Sequence, residues 1–481
     1  MIKNALLLFF CLFSATFWAQ DSHYWSQQFG TRSALLSGAV LGGTNDNTMI
    51  YYNPGALGLL DNSSISINAN AYRIGNIKVE NALGQQADFE SAQVGSVPLL
   101  AGGMINTKDQ KWKIGYAFIT PVDFSFKGIA RLDGNFDVID EFESEGLEEL
   151  VAEAGITTKT SELIFAIGLG RQLNENFSVG LSNLFTVRSH SYQKNFSTYV
   201  FMNDEERTLV GANQNQNVEY YNVRYAAKLG AVYKSGNWST GLTVTSPSLN
   251  LFGNGTLASN IAVRNLKLID ENRISGVATD RQAELKSKYK SPFSVALGTN
   301  YKKGRSSAGI AVQYYSGIDI YDIMEPAAGS FVRPAELAPN LQSDQFLRNR
   351  AGAKSVLNVA VGYEHRLNET ISLLVSARND MSYFDDELNE GTGIRSTIST
   401  WDIYHFTGGV TIDHNNSSLS LGLLYSTGNN GKYEQTGNVD PNDLDLLEGT
   451  TTITNAKYSN IGLLVGYTFY LEKFSFKKES D

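Results

Sequence analysis

Hydrophobic and polar positions alternate along most of this chain with a period of two. Leu357, Val359, Val361 and Tyr363 share one face of a run, and Asn358, Ala360, Gly362 and Glu364 share the other. The same rhythm carries Leu419, Leu421, Leu423 and Tyr425, and later Ile461, Leu463, Val465, Tyr467, Phe469 and Leu471. Tyr221, Val223, Tyr225, Ala227 and Leu229 alternate with Asn222, Arg224, Ala226, Lys228 and Gly230. Successive side chains of a strand point to opposite faces, so each run predicts a strand with one apolar face and one polar or small face. About fourteen such runs are expected. They lie near 63–74, 93–105, 111–126, 161–172, 177–200, 218–234, 238–257, 288–302, 306–321, 355–366, 371–384, 398–413, 418–427 and 458–471.

The connections obey a parity. Short polar turns at 107–111, 173–176, 235–237, 303–305, 367–370 and 414–417 alternate with long stretches such as 127–160, 259–287 and 323–354. Short turns on one rim and long loops on the other predict an outer-membrane barrel. The expected fold is therefore all-β, a transmembrane antiparallel β-barrel, whose closure leaves no unpaired edge in lipid. Several runs exceed the roughly 9–11 residues that cross a bilayer, so their strands should continue above the outer surface. Tyr72, Tyr116, Tyr301, Tyr363, Tyr425, Tyr467 and Phe469 lie where interfacial aromatic girdles belong.

Composition changes this picture little. A mean hydropathy of −0.20 would ordinarily suggest a soluble protein. A barrel escapes that inference because only alternate residues face lipid. Residues 1–20 read as a cleaved secretory signal: Lys3, an apolar stretch at 5–18, then Ala19-Gln20. Cys11, the only cysteine, lies inside it, so the mature chain has no means of forming disulfides or a thiolate metal site. The net charge of −10 argues against nucleic acid. Many of the acids cluster at 133–153, as on a solvated outer rim.

Two segments do not fit a plain barrel. Residues 21–60 are rich in Gly, Ser, Ala and Asn but too apolar for a disordered arm, and are expected as a plug in the lumen. In 141–155, Leu147, Leu150, Val151 and Ala154 fall on one helical face before Gly155, which predicts a helix over the barrel mouth. The domain plan is then signal peptide 1–20, hatch 21–60, barrel 61–471 and a polar tail 472–481.

Within 30–60, Asp46-Asn47 is followed by Tyr52-Asn53-Pro54-Gly55-Ala56, just ahead of the first strand-like run. This stretch resembles the N-terminal hatch of the FadL-type family of outer-membrane transporters for long-chain fatty acids and other hydrophobic compounds. The resemblance implies that Asp46, Asn47, Asn53, Pro54 and Gly55 form the junction of hatch and wall. Independently, Asn53 can bond its own backbone, Pro54 fixes φ, and Gly55 permits a positive φ, which together make a sharp, rigid exit from plug to wall. The family releases ligand sideways at a kink in the third strand, and here that strand contains Thr120-Pro121. Proline cannot donate to a ladder, so it predicts a local break. The polar tail departs from the family pattern and leaves the terminal aromatic of the barrel open between Phe469 and Phe476.

Catalytic chemistry is sparse. The five histidines are scattered, and His405, expected to face inward, has no partnered nucleophile at a recognisable spacing. Asp133-Asn135-Asp137 echoes a calcium loop, but Val138 stands where glycine is required. No enzyme, cofactor or metal is expected. Arg188, Arg224, Lys228 and Arg378 fall on expected lumen faces, where they could bind a carboxylate head group or pair with acids of plug and wall. The expected function is passive uptake of hydrophobic small molecules such as fatty acids by a monomer in the outer membrane. The alternative is a permanently plugged barrel that serves as scaffold or shuttle for surface or secreted proteins.

Overall fold

The computed structural model describes residues 22–43, 46–60, 63–84, 86–106, 112–269, 272–334, 339–389, 393–439 and 450–471. Residues 1–20, expected as a signal peptide, the turn expected at 107–111 and the tail expected at 472–481 lie outside the described residues. Three helical turns come first: α1 (Arg32–Leu35), α2 (Met49–Tyr52) and α3 (Pro54–Leu57). The first half of the wall is β1 (Ser63–Val79), β2 (Phe89–Asn106), β3 (Trp112–Phe136), β4 (Glu148–Gln172), β5 (Phe177–Phe201) and β6 (Leu209–Ser235). Then follow β7 (Trp238–Thr245), β8 (Leu249–Ile269), β9 (Asn272–Lys286), β10 (Ser294–Lys303), β11 (Ser306–Tyr315) and β12 (Ile318–Met324). A short α4 (Ser343–Phe346) precedes β13 (Asn349–Ala353), β14 (Val356–Arg366), β15 (Ile371–Asp380), β16 (Asp402–His414), β17 (Ser417–Asn438) and β18 (Thr450–Leu471).

The wall closes. β1 pairs with β18 from Ser63↔Leu471 to Val79↔Ala456, and the ring runs on through antiparallel neighbours to the β5–β6 ladder. β7 with β8, and β9 with β10, are single wall crossings broken near the outer rim. β12 and β13 form a separate two-stranded ladder that continues the β11–β14 pair beyond Tyr315 and Val356. The barrel thus has fourteen strands, as the alternation predicts. Its lipid-type face carries Leu163, Phe165, Ile167 and Leu169 on β4, while Glu162, Ile164 and Ala166 point inward.

Two long loops expected from the sequence are instead strand. Residues 127–160 form the upper β3–β4 hairpin, laddered up to Phe136↔Glu148, and 259–287 form the β8–β9 hairpin. The predicted helix at 141–155 is corrected with them, since 148–155 is the start of β4. Leu150, Ala152 and Ala154 point inward and are buried, while Glu149 and Glu153 point out. The segment satisfies a period of two as well as one of 3.6, and ladders to β3 and β5 on both sides decide between them. Roughly 10 of the 25 residues of β4 suffice to cross a bilayer, so most of this strand stands above it. This head has its own core, including Leu150, Tyr192, Val210, Leu257, Ile323 and Met324.

A second core fills the lumen, where Leu35, Val40, Met49, Ile50 and Leu57 of the hatch meet the wall. Close approach is possible because wall residues there are glycine. A Cβ at Gly241 would overlap the Leu41 carbonyl, one at Gly180 the Pro54 carbonyl, and one at Gly422 the Leu35 side chain. Gly241 faces Gly298 across one ladder, and Gly309 faces Gly362 across another, so the seat continues round the barrel. Gly241→Ala should unseat the hatch at a cost of about 1–3 kcal/mol, because added volume there has nowhere to go. Tryptic cleavage after Arg32 should then appear. It should stay absent in Gly408→Ala, where an added Cβ meets nothing within 4 Å.

Candidate functional site

The hatch does not fill the lumen. Above it lies a cavity of about 140 Å³ bounded by β3–β7, β10–β13 and the hatch itself. Tyr24, Tyr51, Tyr289, Tyr315, Tyr321 and Tyr383 supply aromatic wall, and Ile164, Leu184 and Val122 supply aliphatic wall. Tyrosine suits an amphiphilic lining, because its ring is apolar and its hydroxyl needs a partner. Residues 22–25 bound the cavity from one side. Ser22 N donates to Ser399 Oγ (3.0 Å), and the Tyr24 ring stacks between Tyr315 (4.2 Å) and Tyr383 (4.3 Å).

Three of the four lumen cations foreseen from the sequence line this cavity: Arg188, Arg224 and Lys228. Two guanidiniums share one carboxylate. Arg188 Nη1 donates to Glu162 Oε1 at 2.8 Å, and Arg224 Nη2 donates to both oxygens of Glu162 at 2.8 Å. Arg188 also lies over the Tyr289 ring at 3.9 Å and Arg224 at 5.3 Å. Arg188 Nη2 and Arg224 Nη1 remain buried without a hydrogen-bond partner. Lys228 Nζ donates to the Tyr51 carbonyl (2.7 Å) and sits 4.4 Å from that ring's centre. Arg378 also faces the lumen but stands apart from the cavity lining. It donates to the carbonyls of Trp25 (3.3 Å) and Ser26 (3.4 Å), holding the hatch's first residues.

The hatch motif is built from backbone satisfaction. The Asp46 carboxylate accepts from the amides of Arg32 (3.0 Å), Ser33 (3.2 Å) and Thr48 (3.1 Å), tying the start of α1 to the turn before α2. Asn47 accepts from Ser64 Oγ (2.5 Å) and donates to Ser66 Oγ (3.0 Å), both on β1. Asn53 caps α3 by accepting from Gly55 N (3.0 Å), and its amide donates to Leu41 O (2.8 Å) and Ala231 O (3.1 Å). Pro54 holds the first helical position, where its missing N–H costs nothing. The positive φ that Gly55 permits is not used here. The residue is helical, and glycine is needed because a Cβ would press on Gly230 O at 2.8 Å.

At Thr120-Pro121 the wall changes character. The β2–β3 ladder runs only from Asn106↔Lys113 to Leu100↔Ile119. Above it β3 stays laddered to β4, with a bulge between Ile119 and Val122, but it leaves β2. Side chains bridge the seam instead. Lys127 N donates to Ser91 Oγ (3.0 Å), the Gln93 amide reaches the Ser125 carbonyl, and Arg73 pairs with Asp123 at 3.1 Å. A cavity of about 50 Å³ lies behind it, bounded by Arg73, Gln93, Asp123, Ser125 and His23. His23 borders both cavities, and Pro121 borders the larger one.

Sequence reasoning passed over several of these residues. Pro98 stands on β2 where that ladder stops, and its lack of an N–H marks the seam from the other side. Glu162 was legible as an acid at an inward position between Thr160 and Ile164. Tyr24 lies outside regular strands and carries no periodic signal, and Tyr289, inside the run expected at 288–302, falls instead in the break before β10.

No protein-family model matches this sequence, and no curated protein matches it. The likeness is in three dimensions. A FadL homologue from Pseudomonas aeruginosa shares the fold over 95% of this chain and 99% of its own, with a TM-score of 0.54 at 12% identity. The P. putida toluene transporter TodX does so over 93% and 99%, with a TM-score of 0.54 at 12% identity. The monoaromatic hydrocarbon channel CymD covers 94% and 99%, with a TM-score of 0.52 at 10% identity. The resemblance drawn from residues 30–60 therefore holds at the level of the fold.

Glu162 is the keystone of the cationic cluster. Glu162→Gln would leave Arg188 and Arg224 buried without a counter-charge, a loss of about 3–5 kcal/mol. Thermal unfolding in detergent should show a clear drop in Tm, whereas the exposed Asp133→Asn should leave Tm unchanged within error.

Proposed function

We propose that this protein is an outer-membrane channel for passive movement of hydrophobic compounds, long-chain fatty acids among them. The observation that carries the reading is the tyrosine-lined cavity with surplus cationic donors, set inside a lipid-facing barrel beside a seam in its wall. Apolar and aromatic walls hold a chain or ring, while Arg188, Arg224 and Lys228 receive a carboxylate by charge-assisted hydrogen bonds. Arg378 meets a head group only when residues 25–26 leave it, so it couples ligand to hatch. Asp46, Asn47, Asn53, Pro54 and Gly55 form the hinge about which the first hatch residues shift while α2 and α3 stay seated. Release is sideways at Thr120-Pro121, where side-chain bridges are cheaper to open than a backbone ladder. The protein performs no covalent chemistry, carries no cofactor and acts as a monomer.

Uptake of radiolabelled oleate and toluene by cells lacking the protein, with and without restored full-length protein, tests this. Restored cells should take up at least one of the two several-fold faster. Equal rates would replace the reading with that of a sealed barrel that carries other surface proteins. Pro121→Ala should slow uptake, since a residue able to donate to the ladder favours closing the seam. Unchanged uptake would remove Pro121 from the exit.

A further inference from the structure

The wall has a second discontinuity, with β3 to β6 between it and the seam. The β7–β10 ladder ends upward at Thr245↔Ser294, and the β8–β9 ladder resumes only at Asn254↔Lys286. On the other side, β10 leaves β11 at Ser294↔Tyr315, after which Ser316 N donates to Phe293 O (2.9 Å) and Lys288 N to Ile323 O (2.9 Å). Residues 289–292 thus lie between two lapsed ladders, tied to the β7–β8 connection through Ser291, whose N donates to Ser248 Oγ (2.7 Å) and whose carbonyl accepts from Ser248 N (3.1 Å), so the open side is the one toward 317–322. Among the described residues, the sole hydrogen bond from 289–292 to 317–322 is a side-chain one, from Lys290 N to the Tyr321 hydroxyl (2.9 Å). Pro292, buried in this segment, has no N–H to offer either neighbour.

The wall is also thin here. Lys290 is exposed on the outside yet borders the large cavity, as do Tyr321, Ser291 and Pro292. The height is set by the ladder. Phe252 pairs with Val223, which pairs with Val187, which pairs with Leu163. Phe252, Val187 and Leu163 are all exposed hydrophobics, whereas the outward positions above them turn polar, Ser189 on β5 and, beyond the interfacial-type Tyr221, Glu219 on β6. The gap therefore opens at the upper edge of the apolar belt, level with the outer leaflet. The axial route above the cavity is occupied by the head's own core, with Ile323 and Met324 fully buried.

We propose that residues 289–292 and 317–322 frame a portal through which single-chain amphiphiles with an anionic head pass from the outer leaflet into the cavity. This rests on the transport reading and adds where ligand comes in. The Lys290 ammonium, 4.4 Å from the centre of the Tyr321 ring, meets the head at the water boundary. Just inside, Arg224 Nε donates to Ser291 Oγ (2.7 Å), and the unpartnered Arg224 Nη1 and Arg188 Nη2 offer the next donors. The tail needs no aqueous exposure, because the lapsed ladder replaces a continuous polar backbone with the Tyr289 and Tyr321 rings. The cavity then spans from this portal to Pro121, and its inner neighbour reaches the β2–β3 seam, so one route crosses the lumen from wall to wall.

The test uses full-length protein in cells, with oleate as probe. A single cysteine at Lys290→Cys is alkylated with a bulky maleimide, and oleate uptake is compared before and after labelling. Leu297→Cys, outward on β10 and away from the gap, is the labelling control. Labelling at 290 should reduce uptake several-fold, labelling at 297 should leave it unchanged, and Tyr321→Ala should raise it. If wild-type protein transports oleate but neither labelling at 290 nor Tyr321→Ala alters the rate, the portal is overturned and the transport reading stands. If wild-type protein transports neither oleate nor toluene, the transport reading itself fails and the portal with it.

Discussion

In lipid a backbone amide or carbonyl has no water to turn to, and each unmet group costs several kcal/mol. The neighbouring strand must therefore supply nearly every hydrogen bond, and the sheet must close on itself. The β1–β18 ladder, sixteen residues deep, meets that demand where the two ends of the wall come together. The period-two faces follow from it, since a strand fixed in a closed sheet has one side in lipid and one in the lumen. Places where the demand is relaxed become informative. Above Ile119 on β3 the ladder to β2 gives way to side-chain bonds from Gln93 and Ser91, and between Thr245 and Asn254 on β7–β8 it thins to isolated backbone bonds such as Ser248 N to Ser291 O, with side-chain bonds from Ser248 and Tyr321 beside them. Side chains can rotate away without unravelling a sheet, so these are the sites where a wall can open and remain a barrel.

The hatch obeys a complementary constraint of volume. A closed wall fixes the bore, and a plug fits only if wall and plug together leave room. The wall yields that room at glycines such as Gly180, Gly230 and Gly241, while the plug contributes its bulk as Leu35, Ile50 and Leu57. Polar groups are then matched locally: Ser178 Oγ donates to Gly55 O at 2.6 Å and Ser182 Oγ to Ile50 O at 2.7 Å. A core packed this tightly transmits displacement rather than absorbing it. The hatch's opening residues, 22–27, are held differently, by stacked rings, serines, the Arg378 guanidinium and the packing of Trp25 against Tyr315 and Val356.

What could be read from the sequence was what periodicity encodes. Alternation from Leu357 to Tyr363 and from Ile461 to Leu471 placed strands and the two faces of each, and the parity of turns placed the rims. The height of the head escaped, because its strands are polar outside and carry small residues inside, as in Ala152 and Ala154, which imitates a loop in composition. The segment 141–155 was ambiguous for the same reason, and only its partners on β3 and β5 resolve it. Lumen cations were legible as charges at inward positions of strands. Their common carboxylate, Glu162, comes from another strand, and the ring between them, Tyr289, comes from a broken one, so no local pattern could join the three. Gly55 was assigned the right importance for the wrong reason, because a sequence does not reveal which backbone will lie 2.8 Å away.

The placement of charge ties these features together. A purely structural ion pair would match one guanidinium to one carboxylate and spend its remaining donors on backbone. Glu162 instead serves Arg188 and Arg224 at once, and one nitrogen of each guanidinium is left without a bond inside the protein. Burying a charged donor without a partner is costly, and mutation would readily remove it were stability alone at stake. The cost is sensible if an anionic group from elsewhere completes the set for part of the time. Both discontinuities in the wall border the cavity system that holds these donors, and the head packs over its top. Surplus positive charge, aromatic walls and two lateral weak points therefore meet in one cavity system.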